Sequence, residues 1–168
     1  REGIWGAQAV AAAVAVAMAD GSMEEILAAA LSTAPKDTWF RHAMTTAFDI
    51  VDKAEGDLLR AWMPLHDELW TSYKAAVSEA VAQAFGVLKL SQGEFRQGVT
   101  WAGNFGRDAD TIGAIVGAVL GAKNGAAKIP PAWVEKTRYP TGTCLAFTKG
   151  LDLLDVADKL VDCALQQR

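Results

Sequence analysis

Apolar residues along this chain recur at intervals of three and four, the spacing that lines one face of an α-helix. Phe40, Met44, Phe48 and Val51 form one such stripe, Leu58, Trp62, Leu65 and Leu69 a second, and Val77, Val81, Phe85 and Leu88 a third. Val, Ile and Thr never alternate with polar residues over a useful length, so the pattern predicts helices and almost no strand. A first helix is predicted from Ile4 to Met18 and is stopped by Asp20-Gly21-Ser22. Ser22, with Glu25 three residues on, has the spacing of a capping box for a second helix carrying Ile26, Leu27 and Leu31. Pro35 ends that helix, and Asp37 or Thr38 caps the third. Gly56 closes the third, and Pro64 kinks or splits the fourth. Ala75 to Leu90 is predicted helical and Ser91-Gln92-Gly93 a turn, followed by a short helix with Phe95, Val99 and Ala102.

The apolar run Ile112 to Ala122 reads as a further helix. Its Gly113, Gly117 and Gly121 make a ridge without side chains, where another backbone is expected to approach closely. Ala126 to Trp133 reads as a loop and Leu151 to Leu165 as the last helix. No repeat, linker or low-complexity stretch interrupts the series, so residues 1–168 read as one all-helical system.

Composition narrows the classes of function. The chain has 168 residues, 51% of them hydrophobic, which is enough for one domain with a sizeable core. Its net charge is −4 and it has no basic patch, which argues against a nucleic-acid groove. The two longest apolar runs, Ala9 to Ala19 and Ile112 to Ala122, fall short of the ~20 residues a membrane span needs, and no targeting segment is read. Cys144 and Cys163 form no CxxC pair and read as reduced thiols, so a cytoplasmic location is expected.

The chemistry concentrates in Gly103-Asn104-Phe105-Gly106-Arg107-Asp108-Ala109-Asp110-Thr111. A glycine-broken loop brings Asp108, Asp110 and Thr111 to a helix start, where unpaired N–H groups stabilise ionised carboxylates. An all-oxygen donor set suits Mg2+, Mn2+ or Ca2+. A calcium-binding EF-hand loop is excluded: counted from Asp108, its fifth and twelfth positions fall on Ile112 and Val119. The competing structural reading makes Asp110 a simple N-cap and Asp108 a solvated loop charge.

Elsewhere the signals are bland. Asp152, Asp155, Asp158 and Asp162 read as the solvated face of the last helix, and His42 and His66 as isolated histidines. The six tryptophans read mostly as core, with Trp5 and Trp101 lying near glycine-containing loops. No nucleophile elbow and no phosphate-binding GK[ST] loop is present.

The segment from Asn104 through Asp108-Ala109-Asp110-Thr111-Ile112 to Ala118 resembles the C-terminal signature of the ADP-ribosylglycohydrolase family. That family shows an N-x-G-[GR]-D-x-D-T-I run followed by a Gly/Ala-rich helix. Ile129-Pro130-Pro131-Ala132-Trp133 is similar to the I-P-x-x-W that members carry downstream, Gly3-Ile4-Trp5-Gly6-Ala7-Gln8 to the start of a central helix, and Ser78-Glu79-Ala80-Val81 to a P-x-A-[VIL] segment. The resemblance implies an all-α, multi-helical orthogonal bundle, of which residues 1–168 are the C-terminal portion. It implies a hydrolase cleaving the glycosidic bond of ADP-ribose from a protein acceptor or a related ADP-ribosyl compound. Two magnesium ions would serve each complete site, with Mn2+ as an alternative. Asp108, Asp110 and Thr111 would be metal ligands, while Asn104, Gly106 and Arg107 would face the substrate, with Asn104 and Gly106 shaping the loop. Many members have glycine where this chain has Arg107, and an arginine there could pair with a phosphate. The remaining ligands, the ribose-binding histidine and the general base are expected from an N-terminal segment or subunit, so no catalytic base is assigned among these residues. A non-catalytic binding or structural protein on the same scaffold is the alternative.

Overall fold

The computed structural model describes residues 1–166. Among these, nine α-helices and two short 3-10 turns make up the ordered elements, with no strand. The chain divides into two compact units, residues 1–128 and the residues from 129 onward.

The first unit is built around one buried helix. Helices α1 (Glu2–Met18), α3 (Trp39–Lys53), α4 (Leu58–Asp67), α6 (Phe95–Asn104) and α7 (Ala109–Asn124) all pack against α5 (Val77–Ser91), as does α2 (Met23–Ser32). Every residue of α5 from Glu79 to Leu88 is buried. The stripe Val77, Val81, Phe85, Leu88 therefore understates this helix, which is enclosed on all sides. Small residues make the enclosure possible. Gly6, Ala9, Ala13 and Ala17 form the buried face of α1. At Gly6 a β-carbon would come within 2.6 Å of the Val77 side chain, so α1 and α5 meet only because that carbon is missing.

Local signals place the helix ends. The Ser22 hydroxyl accepts from the Glu25 N–H, and the Ser22 N–H donates to the Glu25 carboxylate at 2.7 Å, the capping box expected of α2. Thr38 caps α3 by accepting from the Arg41 N–H. Pro64 neither splits nor ends α4, which runs unbroken to Asp67. Beyond the proline, Gln83 of α5 donates to the Leu65 carbonyl at 3.3 Å, replacing backbone bonding near the helix end with a side chain from the core.

Two expectations fail in this unit. A β-carbon added at Gly113, Gly117 or Gly121 would have nothing within 4 Å, so no described backbone lies on that ridge. The period of three or four showed that a ridge exists, but helical spacing carries no information about a neighbour. On α7 a close helix contact falls instead opposite Gly98 of α6, where a β-carbon would meet the Leu120 side chain at 2.5 Å. The tryptophans do not form the core either. None of the six is fully buried, and Trp39 and Trp70 are 77% and 60% exposed. The core is filled by Phe40, Phe85, Phe105, Leu65, Leu88 and small residues instead.

In the second unit, the Ile129-Pro130-Pro131 stretch is shorter as a loop than expected. Helix α8 (Pro131–Thr137) begins at Pro131, where proline's fixed φ suits the first helical position. Helix α9 (Leu153–Gln166) follows. Asp152 precedes α9 rather than joining an acidic stripe on it. It takes Arg138 in a two-pronged ion pair, with Nε to Oδ1 at 2.9 Å and Nη2 to Oδ2 at 2.5 Å, and accepts from the Leu154 N–H. The Arg138 hydrogen bond, ahead of the opposing effect of burial, holds the Asp152 carboxyl below its ordinary value. No described residue of this unit is fully buried.

Candidate metal centre

The loop between α6 and α7 is set by two consecutive residues in the left-handed region. Gly106 has φ 84° and Arg107 φ 53°. The first is glycine, for which that region is free, and the second is arginine, for which it is strained. Together they turn the chain so that α7 starts at Ala109, with Asp108 in the N-cap position.

This corrects the expectation that Asp110 is the cap. Asp110 lies inside the first turn, and neither carboxylate caps: the helix start has no side-chain capping bond. Asp108 is 7% exposed. Its carboxylate makes no hydrogen bond or ion pair with another described residue, and its oxygens still reach the surface, so the side chain is largely covered without being sealed from water. Asp110 is exposed and Thr111 half-buried. All three oxygen donors therefore stand within one turn at the positive end of α7.

A largely covered carboxylate with no protein partner is satisfied by water or by a bound cation. The donor set is all oxygen and fits a hard divalent ion, with water completing the shell. Among the described residues, no group of three His, Cys, Asp or Glu side chains comes together to hold a metal, so Asp108 and Asp110 have no third carboxylate or imidazole beside them.

The other loop residues are placed as follows. Asn104 ends α6 and donates from Nδ2 to the Thr100 carbonyl at 3.0 Å. Gly106 is exposed and faces the His66 ring, which a β-carbon on residue 106 would meet at 3.9 Å. Phe105 is buried and stacked on His66, with centroids 4.3 Å apart and planes 10° apart, and Trp62 closes on Phe105 at 4.8 Å. His66, which read as an isolated histidine, thus supports the loop from α4.

Arg107 turns inward. Nε donates to Glu79 Oε1 at 2.5 Å and Nη2 to Glu79 Oε2 at 2.8 Å, and Nη2 also reaches the Thr71 carbonyl at 2.7 Å. Glu79, on α5, is fully buried. It accepts further bonds from the Thr71 N–H and hydroxyl at 2.7 and 2.8 Å. The guanidinium lies 5.6 Å from the centre of the Trp70 ring. Burial pushes the Glu79 carboxyl up, but the bonds from Arg107 and Thr71 outweigh it and hold it below its ordinary value. With two of its three nitrogens committed to this pair, Arg107 has only Nη1 left for a substrate phosphate.

The family model for ADP-ribosylglycohydrolase matches residues 1–168, the whole chain. The chain belongs to the ADP-ribosylglycohydrolase family. Its all-helical architecture agrees with that family's fold. Comparison with the curated proteins and with the solved structures finds no match. Among the described residues, no helix of this ADP-ribosylglycohydrolase family member is long and apolar enough to cross a membrane.

Proposed function

We propose that this chain supplies the α7 part of a magnesium centre in a hydrolase that cleaves the glycosidic bond of ADP-ribose. The observation that carries the reading is Asp108, a residue only 7% exposed at a helix start, whose carboxylate has no protein partner. Asp108, Asp110 and the Thr111 hydroxyl would hold the ion, and Asn104 and Gly106 would shape the rim that a substrate meets. Magnesium, when bound there, supplies a Lewis acid that orients substrate oxygens and stabilises charge developing at the anomeric carbon. The role of Asp108 and Asp110 is to keep their negative charge fixed at that position. Two carboxylates and one hydroxyl leave a six-oxygen shell incomplete, so the ion bound to this chain alone keeps several waters and is held weakly.

The rest of the centre is proposed to come from an N-terminal segment or subunit packed on this unit. The open ridge of Gly113, Gly117 and Gly121 supports that reading, because it offers a helix face with no described neighbour. The test is titration calorimetry with Mg2+ on the chain, on Asp108→Asn and on Asp110→Asn. A second arm follows release of ADP-ribose from a modified protein after co-expression with a segment carrying an acidic metal motif. Weak binding that both substitutions abolish, with hydrolysis only in the joined system, is the expected result. Tight stoichiometric binding by the chain alone would show that its ligand set is already complete and would overturn the division of the site.

A further inference from the structure

Arg107 holds a left-handed backbone conformation, φ 53°, immediately before the buried Asp108. For a residue with a β-carbon this conformation is strained, and it persists only where the surroundings over-determine it. Here the surroundings are identifiable. Both Glu79 oxygens receive the guanidinium in a planar fork, at 2.5 and 2.8 Å, and the Thr71 carbonyl receives Nη2 at 2.7 Å. Glu79 is itself locked from the other side by the Thr71 N–H and hydroxyl. It projects from α5, the helix enclosed on all sides. A two-pronged fork fixes rotation as well as distance, which a single charge contact does not. The Cα atoms of adjacent residues are about 3.8 Å apart, so whatever fixes residue 107 also limits where residue 108 can go.

We propose that the Glu79–Arg107–Thr71 brace positions Asp108 for a divalent cation, making Glu79 and Arg107 positioning residues of the metal centre. The inference rests on reading Asp108 as a cation ligand. The brace transfers the rigidity of α5 to a loop that would otherwise turn through two left-handed residues without a tether. Neither Glu79 nor Arg107 touches the ion.

The test uses the full chain with Mn2+ as probe, read by the loss of the free-ion paramagnetic resonance signal and checked by Mg2+ competition. Arg107→Lys keeps the charge but not the fork, and Glu79→Gln keeps the volume but not the charge. Each is expected to raise the Mn2+ Kd about tenfold or more, as disrupted outer-shell support does elsewhere, in protein that circular dichroism shows to be folded. Should Glu79→Gln fail to fold, Arg107→Lys carries the test. Ser22→Ala, which weakens the fold at the remote start of α2, is expected to leave the Kd unchanged, and an equal rise there would assign the effect to general loosening and overturn the proposal. Millimolar ethylguanidinium is expected to restore part of the affinity to Arg107→Gly. If the unaltered chain binds Mn2+ and both brace variants bind it within twofold, the brace falls and the ligand reading stands. If the unaltered chain binds no Mn2+, the ligand reading falls and takes the brace with it.

Discussion

Arg107 and Glu79 lie 28 positions apart in the chain and meet in two hydrogen bonds of 2.5 and 2.8 Å, one partner in a strained loop and the other fully buried on α5. Removing one member of such a pair leaves an uncompensated charge, which costs about 3 kcal/mol or more. The Glu79 carboxyl is held below its ordinary 4.5, because the bonds from Arg107 and Thr71 outweigh the opposing push of burial. A depressed carboxyl stabilises the fold fully above its unfolded pKa and loses that contribution as pH falls through the folded value. Urea unfolding of wild type and Glu79→Gln is therefore expected to differ by about 3 kcal/mol at neutral pH, with the gap narrowing as pH drops below 4.5. A gap that stays constant down to about pH 3 would show that the ionised carboxylate is not its source.

Two glycines of the α6–α7 pair are expected to respond in opposite directions to alanine. At Gly98 the new methyl would meet Leu120 Cδ1 at 2.5 Å and Ser91 Oγ at 3.0 Å, and both residues are buried and unable to swing clear. Overpacking of this kind costs about 1–3 kcal/mol. At Gly117 nothing lies within 4 Å, and alanine is the better helix former by about 1 kcal/mol. Thermal melts should show Gly98→Ala lowered and Gly117→Ala raised. A lowered melting temperature for Gly117→Ala would mean that the ridge is already covered.

These glycines also show what the sequence could and could not convey. Gly113, Gly117 and Gly121 stand out because they are periodic, yet nothing described packs on them. Gly6, Gly86 and Gly98 have close neighbours and are silent in the sequence, because each depends on a partner far along the chain. Helix ends were legible where the determinant is local, as at Ser22 and Glu25 or at Thr38. The α6–α7 loop was legible as a cluster of oxygen donors, but its register was displaced: the left-handed turn at Gly106 and Arg107 starts α7 at Ala109 and makes Asp108, not Asp110, the N-cap residue. The brace had one faint sign, Glu79 as the one charged residue between Ala75 and Leu88. A charge buried there requires a cation partner, but spacing alone could not select Arg107.

The corrected register yields a comparison of caps. Ser22 exchanges two bonds with Glu25, so Ser22→Ala is expected to cost about 1 kcal/mol. Asp110 makes no capping bond and contributes only its charge near the positive end of α7, worth about 0.3–1 kcal/mol at an exposed position. In metal-free protein at moderate salt, chemical denaturation should therefore rank Ser22→Ala below Asp110→Ala in stability. The reverse order would restore Asp110 as the cap of α7.

Asp108→Asn separates stability from ion binding. The wild-type carboxylate is largely covered and makes no hydrogen bond or ion pair within the protein, so the metal-free fold draws no contact from its charge. Asparagine keeps the shape and removes the charge, so in the presence of a chelator its melting temperature should equal or exceed that of wild type. Added magnesium should reverse the order. A ligand that binds only the folded state stabilises it by RT ln(1 + [L]/Kd), about 1.4 kcal/mol when the ion stands at ten times its Kd. Wild type should gain that increment and Asp108→Asn should gain none. A variant that melts several degrees lower in chelator would show that the Asp108 carboxylate supports the fold itself, and one that still gains stability from magnesium would place the ion elsewhere.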